Sequence, residues 1–385
     1  MVTSVSGSCL PPFAVRRHAY AIRTAGLPRD AGNRAAFTLR GRCRRGARRS
    51  AVSGDGYRCR VTPPLDAGSG PLVLVIGDLA LDVVLTAHGP LRRGTDVLGN
   101  VAFRQGGSAA TTARRLAALG CRAVLITAVG PDAAGDALVT YMASCGVRVE
   151  ARRVPGAPTG RLGVLVEPGG ERSFVSDRGA MLRMRASDVP ARAAIGADAL
   201  HVPAYSLVGR GPAAASVRLA ALARAAGALV SIDLASAGFL QSEGPGELLA
   251  RVASLRPDVL FATEAEAAET AAPPERLLDL SPLVVLKQGS AGAQGLRRGR
   301  APVAVPARSA RVTDSTGAGD AFDAGFIARW LACPDPRNPT SADLRAALAA
   351  GHRAALREIR GTRVEFSPSL ALRQTATGRD RAVRL

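Results

Sequence analysis

The sequence predicts an α/β fold whose central sheet is largely parallel. One reason is the run of residues 72–76, which is apolar throughout and ends in Gly77-Asp78, as a strand buried on both faces does. A second reason is that segments with helical spacing alternate with further short apolar runs, the pattern of repeated strand–helix–strand units. The third is a hydrophobic content of 47%, which suffices for a substantial core.

The individual elements follow in order along the chain. After the first strand, a helical pattern over residues 108–119 stops at Gly120, because glycine readily ends a helix. The same rule ends a helix over 133–145, and a strand lies between the two helices. The remaining predictions are helices over 213–226, 317–331 and 341–359, and strands over 123–129, 228–233, 259–261 and 283–287.

Two segments break this alternation. Residues 163–167 and 171–176 flank Pro168-Gly169-Gly170, which predicts a β-hairpin with a glycine turn. Residues 83–104 have no helical period and contain turn-forming glycine and proline. We interpret these segments, within about 83–105 and 161–178, as a small β-lid inserted into the α/β body. From the pattern alone, two ordinary surface excursions fit equally well.

Charge is distributed unevenly along the 385 residues. The formal net charge is +20, but residues 1–66 hold 13 arginines against three acids, half of the total excess. We therefore expect no specific nucleic-acid partner, and we predict that residues 1–70 are a disordered arginine-rich extension. A transit peptide and a misassigned start codon both fit that extension. The folded domain is predicted over 71–366, followed by a C-terminal tail over 367–385.

The cysteines and the lengths of the apolar runs indicate the cellular compartment of the protein. Six cysteines without a CxxC pair predict free thiols in a reducing compartment. No apolar run reaches the roughly 18 residues of a membrane helix. A cytoplasmic protein without a membrane partner is therefore expected, or an organellar one if the extension is a transit peptide.

The stretch of residues 314–324 carries the clearest chemical signal. Gly317, Ala318 and Gly319 lie between carboxylates and open a helical run, so their amides could converge on an anion at a helix N-terminus. A carboxylate at Asp320 would repel that anion, and it makes better sense as a general base.

This stretch resembles the second signature of the ribokinase/PfkB family of carbohydrate kinases, and the resemblance extends roughly from Val73 to Arg360. It implies a ribokinase-like three-layer α/β/α sandwich with a mostly parallel sheet and a small β-lid. It also implies ATP and Mg²⁺. In such kinases the Gly317–Gly319 backbone would stabilise the transferring phosphoryl group, while Asp320 would deprotonate the acceptor hydroxyl.

The resemblance also assigns an acceptor site. Asp82 stands where the family binds substrate hydroxyls, and Gly106 and Gly107 match its first signature. Thr111 stands in place of the usual asparagine, and Ala80 stands where ribokinases proper often carry asparagine. Both departures leave the acceptor open.

Nucleotide and metal positions follow from the same resemblance. Glu266 is expected to support Mg²⁺ through water, although two acids in a first helical turn also simply complement the helix dipole. Asp314 matches a position near a monovalent-cation site in some relatives, which makes K⁺ possible there. The residues expected to contact the nucleotide are Lys287, Gly289, Gly292 and Thr316.

The sequence thus predicts an ATP-dependent kinase acting on a hydroxyl of a sugar or sugar-like substrate. A nucleoside kinase of the adenosine or pseudouridine type remains an alternative, as does a catalytically weak sugar-binding regulator. Because lids of this family commonly pair between subunits, a homodimer through the β-lid is also plausible.

Overall fold

The computed structural model describes residues 69–167, 172–236, 238, 244–270, 273–308 and 315–361. The predicted extension, except for residues 69 and 70, and the predicted tail both lie outside the described residues. So do Asp314 and the turn residues 168–171 of the predicted hairpin.

The described strands form two sheets. Their bounds are β1 Leu72–Ile76, β2 Ala80–Ala87, β3 Gly99–Gly106, β4 Arg122–Val129, β5 Arg148–Arg153, β6 Gly160–Val166, β7 Arg172–Asp177, β8 Ala199–Pro203, β9 Leu229–Asp233, β10 Val259–Thr263, β11 Leu283–Lys287, β12 Ala293–Arg297 and β13 Val303–Val305. The central sheet has the order β13-β12-β11-β10-β9-β8-β1-β4-β5. Its strands from β11 to β5 are parallel, and β12 and β13 add an antiparallel edge. The predicted largely parallel sheet is confirmed.

Helices cover both faces of this sheet. Their bounds are α1 Ser108–Ala118, α2 Ala133–Ser144, α3 Arg210–Ala225, α4 Pro245–Leu255, α5 Glu264–Glu269, α6 Ala318–Trp330 and α7 Ser341–Arg360. One apolar layer packs α1, α2, α6 and α7 against the sheet through residues such as Leu116 and Phe326. The other packs α3, α4 and α5 through residues such as Leu219 and Val252. The result is the three-layer sandwich that the family resemblance implied.

The lid is the second sheet, with the order β3-β2-β6-β7. Two antiparallel hairpins, β2–β3 and β6–β7, join along the parallel pair β2–β6. In this register Asp82 lies opposite both Arg104 and Leu162. Since side chains alternate between faces along a strand, every second residue of the lid faces the α/β body. That inner face closes over the carboxyl ends of the parallel strands.

The cysteines and the helix lengths were also predicted from the sequence. Cys121, Cys145 and Cys333 are free thiols in the described part of the chain. None of the described helices combines the length and apolar character needed to cross a bilayer.

Candidate functional site

A cavity of about 550 Å³ lies between the lid and the α/β body. The body contributes the last residues of three parallel strands, Asp233, Thr263 and Lys287, and the lid contributes its inner face. Open α/β sheets bind ligands at this edge because the strand ends and the following loops diverge there. Ten of the predicted site residues line this cavity: Asp82, Gly106, Gly107, Thr111, Glu266, Lys287, Thr316, Gly317, Gly319 and Asp320.

Asp320 lies in the first turn of α6 and opens into the cavity. The hydroxyl of Ser108, at the start of α1, donates a hydrogen bond to its Oδ1. Burial and the neighbouring Asp233 raise the pKa of Asp320 to about 6, although Ser108, Lys287 and Arg114 act in the opposite direction. A carboxylate with this pKa is ionised at neutral pH and can still accept a proton, which suits a general base.

The glycine-rich turn before α6 has the geometry of an anion site. Gly317 has φ +73° and precedes Ala318, so the chain turns sharply into the helix. The amide of Ala318 donates to the carbonyl of Ser315 at 3.1 Å. The amides of Gly319 and Asp320 lie in the first helical turn, where a helix has no internal acceptors for them. Gly319 and Asp320 therefore supply the donors that suit an anion, rather than Ala318, which does not line the cavity.

Lys287 lies below this turn and is surrounded by carboxylates. Its Nζ donates to Asp233 Oδ1 at 2.8 Å and approaches both Asp323 oxygens at 3.4 Å. Burial alone would lower the pKa of Lys287, but Asp233, Asp323 and Glu266 together hold it above its usual value. The lysine is therefore a fixed positive charge at the floor of the cavity. A Cβ on Gly319 would lie 3.6 Å from Nζ, so this charge is directly beside the anion turn.

Glu266 caps the helix that carries it. Its Oε2 accepts from the amide of Thr263 at 2.8 Å, and Thr263 Oγ1 accepts from the amide of Glu266 at 3.2 Å. This is a capping box at the helix N-terminus, and Glu264 and Glu266 both lie in the first turn, so the alternative role of complementing the helix dipole is also present. The side chain also lines the cavity, and burial with Asp233 raises its pKa. An oxygen donor here fits Mg²⁺, which binds proteins through one or two carboxylates and keeps several waters.

The acceptor half is built around Asp82. Its buried carboxylate crosses to β3 and lies against Gly106, where any Cβ would overlap it. Gly107 has φ +95°, and a Cβ there would overlap the carbonyl of Asp78. Both glycines are therefore required by close packing. Thr111 is buried on α1, and its methyl group lies 3.3 Å from where a Gly317 Cβ would be, so this substituted position joins the acceptor and phosphate halves.

Two arginines connect the lid to the body. Arg178, just after β7, makes a hydrogen-bonded ion pair with Asp78, with an Nη2–Oδ2 distance of 2.9 Å. Arg172, the first residue of β7, donates to Thr316 Oγ1 in the turn before α6. The lid therefore contacts the anion turn directly, as closure over a phosphoryl group requires.

Some predicted residues fall elsewhere. Gly289 and Gly292 shape the turn between β11 and β12, with φ of +56° and +122°, and neither lines the cavity. Their expected nucleotide contact stays a prediction. The same holds for a monovalent cation at Asp314, which lies outside the described residues.

Sequence reasoning missed several cavity residues. Asp233 ends a parallel strand just as Asp82 follows one, and that signal could have identified it. Ser108 is the first residue of α1, and its hydroxyl contacts Asp320, a contact that no local signal indicated. Arg172 and the buried Glu358, which pairs with Arg115, had no local signal.

The match with a family model reaches well beyond these motifs. A model of the pfkB family carbohydrate kinases matches residues 71–362. An ATP-dependent ribose-1-phosphate kinase from Halopiger xanaduensis is 33% identical over 230 residues, which cover 59% of this chain and 73% of the relative. The bifunctional protein HldE of Azotobacter vinelandii is 30% identical over 297 residues, 72% of this chain but only 60% of that protein.

The fold also matches solved structures. The adenosine kinase from Sinorhizobium meliloti superposes with a TM-score of 0.67 at 24% identity, covering 80% of this chain and all of that one. At this identity the likeness supports the fold alone.

Proposed function

We propose a mechanism and an acceptor for this chain, which belongs to the pfkB family of carbohydrate kinases and is an ATP-dependent kinase of sugars or nucleosides. The acceptor is a sugar hydroxyl, and Asp320 is the general base. The observation that carries the mechanism is the position of Asp320, held by Ser108 at the mouth of the glycine-rich turn with a pKa near 6.

Each step uses a group in the cavity. Asp82 accepts hydrogen bonds from acceptor hydroxyls, and Gly106 and Gly107 let the sugar approach the backbone. Asp320 takes the proton of the attacking hydroxyl. The amides of the first turn of α6, with Lys287 behind them, stabilise the charge on the transferring phosphoryl group. Arg172 holds the lid on Thr316, which excludes water from the reaction.

Mg²⁺, when bound, neutralises phosphate charge and orients the phosphoryl group. Glu266 would hold it through water, with the Oε2 atom still engaged by Thr263. Hard oxygen donors at this edge of the cavity support this assignment, although the described residues contain no cluster of three ligands that could hold a metal alone.

A nucleoside acceptor is the second candidate. The inner face of the lid carries Val84, Val164 and Phe174 in one cross-strand row that lines the cavity. An aromatic ring within an apolar row could cover a nucleobase. A sugar remains the first choice because the ribose-1-phosphate kinase is among the relatives and the acceptor half is rich in charge.

We also propose that the chain forms a homodimer through the outer face of the lid. That face carries a contiguous set of apolar residues, and a second copy of the same face would cover them. The residues are Val83, Leu85, Val101, Phe103, Leu165 and Val175.

ATP turnover against a panel of sugars and nucleosides tests the proposed reaction. We expect Asp320→Asn to lower kcat by roughly 10²- to 10⁴-fold while the protein stays folded, because general base catalysis contributes that much. Asp136→Asn, an exposed change on α2, is the control and should keep full turnover. Turnover that survives Asp320→Asn would exclude this base, and no turnover by the unmodified chain with any acceptor would favour a regulatory protein.

A further inference from the structure

We propose that the acceptor carries an oxyanion, a phosphate or a carboxylate, in addition to the hydroxyl that reacts, and that Arg104 and Arg114 bind this group. The inference rests on the proposed function, because both arginines line the acceptor half of the same cavity. It concerns the substrate class rather than the reaction.

Arg104 reaches the cavity through the register of the lid. It lies opposite Asp82 in the β2–β3 pair, so their Cβ atoms are roughly 5 Å apart on the same face. Gly106, two residues further along β3, faces the same way and packs against the Asp82 carboxylate. A molecule whose hydroxyls bind Asp82 therefore lies within reach of the Arg104 side chain.

Arg114 approaches the same space from the body. Ser108, Thr111 and Arg114 are three residues apart on α1, which places them on one face of the helix, and all three line the cavity. Arg114 Nε donates to Gln105 Oε1 at 3.0 Å, which fixes the side chain toward β3. Its charge also lowers the pKa of Asp320, so the guanidinium lies near the reacting carboxylate.

Arg114 lies farther from the nearest carboxylate than several other cations that line the cavity. Three other cations of the lining have a carboxylate oxygen within 3.0 Å: Lys287 with Asp233, Arg178 with Asp78, and Arg161 with Asp177. Among the described residues, the closest carboxylate oxygen to Arg114 is Glu358 Oε1, at 3.9 Å. Glu358 makes its close contact with Arg115 instead. Among the described residues, the terminal nitrogens of Arg114 therefore have no carboxylate oxygen closer than 3.9 Å.

An oxyanion on the acceptor matches this arrangement. Guanidinium groups bind phosphate and carboxylate through paired, charge-assisted hydrogen bonds, and a neutral sugar carries no charge to match them. Arg104 lies opposite Asp82 in the lid, and Arg114 bonds to Gln105 next to Gly106, whereas Gly289 and Gly292, where nucleotide contact was expected, do not line this cavity. We therefore assign them to the acceptor and not to ATP.

Steady-state kinetics at saturating ATP tests the assignment with matched pairs of acceptors. The pairs are ribose with its 1- and 5-phosphates, fructose with fructose 6-phosphate, and glucose with gluconate; adenosine is added as a nucleoside. We expect an anionic member to exceed its neutral partner at least 100-fold in kcat/KM. Phosphates and carboxylates are separate arms, so the result also identifies the oxyanion.

Substitutions of the two arginines test whether they cause the preference for an anionic acceptor. Arg104→Gln and Arg114→Gln should each raise the acceptor KM by roughly 10- to 100-fold, the size of one lost charged hydrogen bond, with the KM for ATP unchanged. Arg114→Lys keeps the charge and should recover part of the loss. Arg148→Gln, an exposed change on β5, is the matched control.

Calorimetric titration with inorganic phosphate separates this inference from the proposed reaction. Phosphate binding that both Gln variants weaken supports the oxyanion site even if no tested acceptor turns over. A neutral sugar or adenosine as the best acceptor overturns the inference and leaves the kinase intact. An equal loss of kcat/KM for all acceptors in the Gln variants, or a rise in their KM for ATP, would also overturn it.

Discussion

Ser108 and Asp320 make the contact on which the proposed proton transfer depends. The Ser108 hydrogen bond stabilises the ionised carboxylate, so its loss should raise the pKa of Asp320 above 6. We expect Ser108→Ala to shift the acid limb of the kcat/KM profile to higher pH, with a larger loss of activity at pH 6 than at pH 8. Ser254→Ala, which removes a hydroxyl bonded within α4, should leave the profile unchanged. An identical acid limb in Ser108→Ala would contradict the assignment.

The buried ion cluster of Lys287, Asp233 and Asp323 is the second feature at this scale. Lys287→Met leaves Asp233 and Asp323 buried without their cation, and we expect the free energy of unfolding to fall by about 3–5 kcal/mol at pH 7. Burial and Asp233 hold the pKa of Asp323 well above its usual value in the folded protein. Lower pH neutralises the carboxylates, so the loss should shrink as pH falls.

Urea unfolding measures the free energy of unfolding of the unmodified chain, of Lys287→Met and of a double variant. The double variant Lys287→Met/Asp323→Asn carries one buried charge fewer, so it should recover part of the stability lost in Lys287→Met. A single variant as stable as the unmodified chain at pH 7 would mean that the lysine does not balance these acids.

The sequence predicted individual residues well where a short motif carried them. Asp82, Gly106, Gly107, Thr111, Glu266 and Asp320 all line one cavity. It could not predict that Ser108 contacts Asp320, since 212 residues separate them and only packing of α1 against α6 brings them together. It also could not predict that Asp233 and Asp323 surround Lys287, because these carboxylates come from β9 and α6.

At the scale of elements, an ion pair between Arg178 and Asp78 helps to anchor the lid to the body. Arg178 and Asp78 are largely buried, with side-chain exposures of 9% and 16%. We expect Arg178→Gln to cost about 2–3 kcal/mol, because it leaves Asp78 without its cation in a mostly dry site. Hydrogen exchange in β6 and β7 should become faster.

A matched control comes from the same hairpin. Arg161 and Asp177 are joined at 3.0 Å, but both side chains are more than half exposed. Arg161→Gln should therefore cost less than 1 kcal/mol, as exposed pairs do. Equal effects of the two variants would show that the Asp78 contact does not anchor the lid.

Most strands with a long apolar run were predicted, but β5, β12 and the fully buried β8, whose run His201 interrupts, were missed. β5 is an edge strand with the sequence Arg148–Arg153, whose four charged residues conceal its pairing with β4. β12 contains Gly295, against which Leu344 packs so closely that a Cβ would contact it. Such strands form because neighbouring elements supply partners, and that information is not local.

At the scale of the whole molecule, the outer face of the lid should control assembly. Val101 and Val175 are 58% and 77% exposed there. Four strands about 4.8 Å apart and some 25 Å long give a face of roughly 500 Å² per copy, the low end for a specific interface.

The dimer should therefore be concentration-dependent, and Val175→Arg should shift it to monomer because a guanidinium would be buried against an apolar face. Ile195→Arg changes a similarly exposed residue, 74%, away from the lid and should not. Sedimentation velocity over a range of protein concentrations measures both, and a monomer at all concentrations in the unmodified chain would contradict the lid interface.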